Sequence, residues 1–395
     1  MPAPLDPTRV LRQRARRGLL DRSGADAVAA TRAVAALHAT DPATVLLSVH
    51  ARLPLRPVAE RATEMKRALE EDRRLLRLMG MRRTLHVVAR ELAPAVLTVA
   101  RERLDGQRRK DAAKHLAQAG ARDLDALRAE ILAALAAGDL DTGALQAAVP
   151  DLARRVSLAE GKSYAADAPV SRFVLEALST SGDLVRARAT GGWRASGNTW
   201  ARLDRWVPDL SPAPPKVEGY AQLAAAWLGA FGPGTVDDLA WWAGIPKGEA
   251  QAAISALGKA VVSVEVRGWP GARYALADAP LEDAGPPLPP ALLPALDPAG
   301  MCWQDRGPFL DPDLAGPLWD RSGNLAPTVW LDGRIIGGWA CTPAGRVVFQ
   351  ILDPSAAGAA GAVAEAAAGL EQALAGEVVA PRFPTPLVRA LSQGA

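Results

Sequence analysis

A histidine, a threonine and an aspartate fall within four positions of Leu37-His38-Ala39-Thr40-Asp41-Pro42, and Ser48 and His50 follow closely. An imidazole, a hydroxyl and a carboxylate at this spacing are groups that can accept a proton or hold a water. The segment lies between two apolar stretches with helical spacing, residues 25–39 and 42–52. His38 and Thr40, two residues apart, end the first stretch. Asp41-Pro42 then re-caps the chain at once, with the carboxylate at the N-cap and proline at the first helical position. A break between helices can aim such side chains into a shared pocket, which Ser48 and His50 would also line. The same residues admit a structural reading, in which Thr40 or Asp41 caps the second helix and His38 packs with its ring partly buried.

The elements around this segment repeat. Residues 7–19, 25–39, 42–52 and 57–70 read as helices, and 75–79 and 84–88 as two short strands about a turn centred on Gly80. Helices followed by a hairpin give the order of a winged helix. The order recurs with helices at 122–137, 142–149 and 168–180, a strand at 183–188, a Gly191-Gly192 turn, and a return strand beginning at Trp193-Arg194. Beyond the Pro-rich stretch 208–215 come helices at 219–231, 236–243 and 247–257, with wing strands at 260–266 and 272–276. Thr235 is the expected cap and Gly244 the turn of a helix-turn-helix. After a second Pro-rich break, 286–294, the pattern changes to alternating strands at 328–333, 334–340 and 345–351, with Asp332-Gly333 as a hairpin turn. An Ala-rich helix follows at 359–375. The expected fold is therefore mainly α with small β wings: three tandem winged helices (1–110, 111–212 and 213–282) and a C-terminal β-rich α+β domain (283–395).

Charge separates along this division. The 395 residues carry a net charge of +3, but residues 1–110 hold 23 Lys and Arg against 12 Asp and Glu, and the remainder is acidic by eight charges. Such asymmetry points to a polyanion-binding N-terminal half. No apolar run approaches the roughly 18 residues needed to span a bilayer, and the N-terminus lacks the pattern of a secretory signal. Two cysteines and four scattered histidines offer no cluster for a structural metal. The expectation is a cytoplasmic protein with no metal or cofactor. No heptad pattern suggests a dimerisation element, so it reads as a monomer.

The segment at 37–42 resembles the motif region of the AlkZ/YcaQ-type winged-helix DNA glycosylases, where family members read Gln-x-Gln or Gln-x-Asp. The likeness extends through Arg83-Thr84-Leu85-His86, Leu184 to Arg188 with Trp193-Arg194, Phe231 to Trp242, Leu293 to Asp297, Asp305-Arg306 and Val329 to Gly337. The resemblance implies three tandem winged helices and a β-rich domain around a concave channel for double-stranded DNA. It also implies excision of alkylated bases, chiefly N7-alkyl purines, with unhooking of interstrand crosslinks in some members. The biological setting would be DNA repair or self-resistance to an alkylating toxin. The two glutamine positions of the family fall on His38 and Thr40.

An N7-alkyl purine is cationic and its glycosidic bond is already weakened, so the reaction needs a placed water more than an acid. On this resemblance a neutral His38, with a reference pKa of about 6.5, would accept the water's proton. Thr40 would hold the water and Asp41 would add negative potential. No lysine lies near the motif in sequence to form a Schiff base, so the expected enzyme is monofunctional. Arg82 and Arg83 would meet DNA from the first hairpin, with Met79 or Met81 wedged against bases. Arg101, Arg103, Arg108, Arg109 and Lys110 would supply phosphate contacts, with Arg186, Arg188 and Arg194 as weaker candidates. Trp241-Trp242 and His86 read as core. The rival expectation is a non-enzymatic winged-helix DNA-binding protein, a transcription regulator or a binder of unusual DNA structures.

Overall fold

The computed structural model describes residues 3–158, 166–282 and 285–393. The chain opens with the helix Pro7–Arg17, whose start is fixed by the Asp6 carboxylate accepting from the N–H groups of Thr8 and Arg9. The next helix is shorter than its apolar spacing predicts. It runs only from Ala27 to Arg32, and the chain then turns through Ala35 at φ 58° into a strand, Ala36–His38. The strand is recruited by antiparallel pairing with Leu85–Ala89, in the register Ala36 to Val88 and His38 to His86. A partner nearly fifty residues away thus overrides the local helical pattern. The helix Pro42–His50 starts as expected: Asp41 accepts from the N–H of Ala43 at 3.0 Å, and Pro42 occupies the first turn.

The helix Val58–Lys66 continues as a π turn, Arg67–Glu71, into the hairpin of Leu75–Met79 and Leu85–Ala89. The turn differs from a simple glycine turn. Gly80 is extended, and what requires glycine there is space, since a Cβ would meet Val96 at 2.7 Å. The left-handed residues are Arg82 (φ 53°) and Arg83 (φ 60°). Two consecutive arginines in that region hold backbone strain of a kind that clusters at functional sites.

The wings are larger than small hairpins. One six-stranded antiparallel sheet has the order Ala36–His38, Leu85–Ala89, Leu75–Met79, Leu184–Ala189, Asn198–Arg202 and Leu140–Asp141. It joins the first two helical segments through the Arg77–Arg186 pair. The return strand of the second hairpin begins at Asn198 instead of Trp193, which stays in the turn. The helices Leu124–Ala134, Thr142–Ala148 and Ser171–Ser181 pack behind that hairpin around Leu127, Ile131, Leu145 and Val174. Architecture is thus mixed α and β.

The third helical segment follows its pattern closely. Lys216–Phe231, Val236–Ala243 and Lys247–Ala256 precede the hairpin of Val261–Val264 and Arg273–Leu276. Thr235 and Asp238 form a reciprocal capping box, and Gly244 ends the middle helix at φ 69°. Beyond it, Ala291–Leu293, Thr328–Leu331, Arg334–Cys341 and Val347–Ile351 make a four-stranded sheet with the helix Ala360–Leu374 against it. Asp332 and Gly333 both adopt positive φ, as a two-residue I′ hairpin turn requires. The aromatic side chains of Trp227, Phe231, Trp303, Phe309 and Trp330 pack with ring centroids 5.5–6.4 Å apart and join the third segment to the C-terminal sheet. The guanidinium of Arg14 lies 4.3 Å from the Trp303 ring and draws the first helix into the same core.

Candidate nucleic-acid interface

The motif-bearing loop, the first hairpin and the second hairpin enclose a cleft of about 700 Å³. Its lining carries Lys66, Arg77, Arg83, Arg108, Arg172, Arg186 and Arg382 against two carboxylates, Glu70 and Glu176. A concave surface with this excess of cations focuses positive potential and attracts a polyanion. Arg83 and Arg172 are exposed and have no carboxylate partner among the described residues. Trp193 and the turn Gly191 to Asn198 close one side, and Arg382 reaches in from the C-terminal part.

Thr40 lies in the cleft wall. Its carbonyl accepts from Nη1 of Arg382 at 3.2 Å. Asp41 is occupied structurally: it is buried, one oxygen caps the helix at Ala43 and the other accepts from the Arg382 N–H at 3.0 Å. The negative potential expected of it is therefore spent on backbone donors. Strand alternation places His38 on the opposite sheet face from Arg77, Met79, Leu85 and Val87, which line the cleft. The ring of His38 instead meets His86 edge-on at 5.6 Å between centroids. At the hairpin tip Thr84, a residue of the cleft lining, has its hydroxyl 3.5 Å from Nε2 of His86. Burial, helped by the nearby Arg82 charge, pushes His38 down to about 4. Burial, then His38 and Arg82, push His86 down to about 3. Both rings are neutral at pH 7, and Nδ1 of His38 is buried with no hydrogen-bond partner among the described residues.

Several expected contacts are placed elsewhere. Ser48 and His50 lie in the core and do not line the cleft. Ser48 donates to Asp297 at 2.7 Å, and His50 is 1% exposed, pushed down to about 4 by burial and then by Arg22 and Arg61. Met81 is fully buried, so it is packing instead of a wedge. Arg82 stacks 3.7 Å from the Trp241 ring, beneath Gly244, where a Cβ would strike the Arg82 nitrogen at 2.9 Å. Arg108 pairs with Glu176 at the cleft and Arg109 with Asp125 off it. Arg101 donates to the Ser181 carbonyl, and Arg103 and Lys110 are exposed outside the cleft. Of the second hairpin, Arg186 faces the cleft and stacks on Trp200 at 4.7 Å. Arg188 is held by Asp139 and Arg194 by Glu377.

The cleft also contains residues that the sequence did not flag. Arg77 had a signal, as the polar position of an otherwise apolar strand. Lys66 lies 26 residues after Thr40, yet the fold brings both to the lining of the same cleft. Arg382, Arg172, Glu70 and Glu176 have no local signal. Arg306 packs between Trp319 at 3.8 Å and Trp241 at 5.4 Å, and Trp241 also meets Arg82 of the hairpin tip.

No curated protein matches the chain. Among solved structures it is similar to the Streptomyces sahachiroi DNA glycosylase AlkZ, at 20% identity and a TM-score of 0.74, over 95% of this chain and 99% of that one. That likeness shows a shared fold. The sequence model of the family described as "DNA glycosylase AlkZ-like" matches residues 31–375, well over half of the chain. From that match, the chain belongs to the AlkZ-like DNA glycosylase family.

Proposed function

We propose that this family member hydrolyses the N-glycosidic bond of N7-alkylated purines in duplex DNA. The observation that carries the reading is the cationic cleft with Thr40 in its wall. Phosphates on either side of a lesion would rest on Arg83, Arg172 and their neighbours, and three helix-and-hairpin units, read as winged helices, would carry the duplex. The everted nucleotide would enter the cleft.

The N7-alkyl group leaves the purine cationic, so the base departs neutral and positive charge develops on the sugar. The protein's task is to place a water below the anomeric carbon without adding positive charge there. The Thr40 hydroxyl supplies an acceptor and a donor for that water. His38, kept neutral by burial, acts as a hydrogen-bonding group near the hairpin tip, where its low basicity makes orientation its contribution. Because both N7 linkages of a purine–purine crosslink carry the same charge, crosslink unhooking follows from the same chemistry.

The test is a duplex with one N7-methylguanine. Wild-type protein releases the base, and Thr40→Val lowers the single-turnover rate at least about a hundredfold, the low end of the range for positioned proton-transfer groups. Tight binding without release by wild type would instead establish the non-enzymatic DNA-binding reading. Borohydride treatment tests Lys66: the monofunctional reading predicts no trapped protein–DNA adduct.

A further inference from the structure

Phosphate binding accounts for the cations of the cleft and leaves Glu70 unexplained. A carboxylate on the wall of a polyanion channel repels the backbone it is meant to receive. Glu70 sits in the π turn Arg67–Glu71 that ends the helix Val58–Lys66, a local geometry found frequently at functional sites. It is 2% exposed. Its Oε1 accepts from the N–H of Ala189 at 2.8 Å and lies 3.8 Å from Nη2 of Arg77. Its Oε2 has no hydrogen-bond partner among the described residues. Arg186, the strand partner of Arg77, lines the same cleft, and its Nη1 is buried with no hydrogen-bond partner among the described residues. The floor thus offers one unused acceptor and one unused donor, both held by their surroundings.

A phosphate would use the donor and be rejected by the acceptor. A purine uses both, since its edges carry N–H donors and ring or carbonyl acceptors. An alkylated purine adds a positive charge that a carboxylate in low dielectric attracts. We propose that Glu70 receives the everted, positively charged purine, accepting from its N–H edge while Arg186 donates to a base acceptor. The floor then selects the alkylated base, and the cationic walls hold the phosphates. This assignment rests on the glycosylase reading and names the group that would discriminate among bases.

The experiment compares two duplexes by fluorescence anisotropy. One carries 2′-fluoro-N7-methylguanine, whose fluorine resists oxocarbenium formation and keeps the base attached; the other is unmodified. Wild type binds the lesion duplex more tightly. In Glu70→Gln, which keeps an acceptor for Ala189, that preference falls about tenfold or more, while affinity for the unmodified duplex holds or rises because a negative charge facing phosphate is gone. Glu70→Asp retains part of the preference. Loss of affinity for both duplexes together would mark Glu70 as scaffold and overturn the assignment, as would an unchanged preference in Glu70→Gln. Base release from the unfluorinated lesion runs in parallel. A wild type that releases nothing refutes the glycosylase reading and its occupant together, whereas an active wild type with Glu70→Gln unaltered in preference refutes Glu70 alone.

Discussion

Replacing Asp297 by alanine should unfold this protein more readily than any surface change. The carboxylate is 1% exposed and the guanidinium of Arg52 is fully buried. They meet through two bonds, Nη1 to Oδ2 and Nη2 to Oδ1, both at 2.8 Å. Ser48 donates to Oδ2 at 2.7 Å and the Ala299 N–H to Oδ1 at 2.9 Å. Alanine takes the acceptor from all four donors, two of them on one buried guanidinium. Removing one partner of such a pair costs about 3–5 kcal/mol. Replacing both by leucine removes the stranded charge and should recover most of that loss, since apolar replacement of a buried pair is often neutral. Urea unfolding monitored by tryptophan fluorescence gives both numbers. Because Ser48 and Arg52 flank the end of the helix that follows Thr40, base release should fall with stability in the single variant. A cost below about 1 kcal/mol for Asp297→Ala, or a double variant as unstable as the summed single variants, would refute the argument that desolvated charge dominates this joint.

Four further outcomes follow from the same geometry. Asp41→Ala should cost about 2–3 kcal/mol, from a lost helix cap and an unsatisfied Arg382 N–H; a melt unchanged from wild type with base release abolished would instead make Asp41 catalytic. His38, His50 and His86 are held below their unfolded value of about 6.5, so unfolding takes up protons below that pH. Their stability contribution is complete above pH 6.5 and is lost as pH falls toward about 4, by up to about 4 kcal/mol per pH unit near pH 5; flat urea midpoints between pH 7 and 5 would contradict this. With His38 already neutral, single-turnover base release should show no inflection near pH 6.5, and a titration there would mean that its ring is solvated. Arg83→Ala and Arg172→Ala should each lower the slope of log affinity against log salt by about one; an equal loss in Lys110→Ala, which lies off the cleft, would move the DNA path away from it.

The candidate site was only partly legible in the chain. Asp41 announced its cap through Pro42, and the structure shows that this cap exhausts the carboxylate that sequence reasoning had offered to chemistry. The charge excess of the first 110 residues pointed to an anion-binding surface, but not to which cations face the cleft. Arg109 looks like Arg83 in sequence and is neutralised by Asp125 in space. His38 and Thr40 looked like a pair two residues apart. One lies in a strand and the other beyond it, so they meet different sides of the sheet.

What the amino-acid sequence determined by itself is what short-range forces decide. The Thr235–Asp238 capping box, the left-handed Gly244, the Asp332-Gly333 turn and most helix starts satisfy backbone groups within a few residues, so the local residues suffice. What only the tertiary structure decided depends on partners distant in the chain. Residues 36–38 became a strand because Leu85–Ala89 presented an unpaired edge, and two hairpins fused into one sheet at Arg77 and Arg186. That fusion carries Glu70 to Ala189 and sets Arg77 and Arg186 side by side in the cleft that Thr40 also lines. Hydrogen-bond pairing and charge both act through space, and no periodicity in the chain records which distant residues will share it.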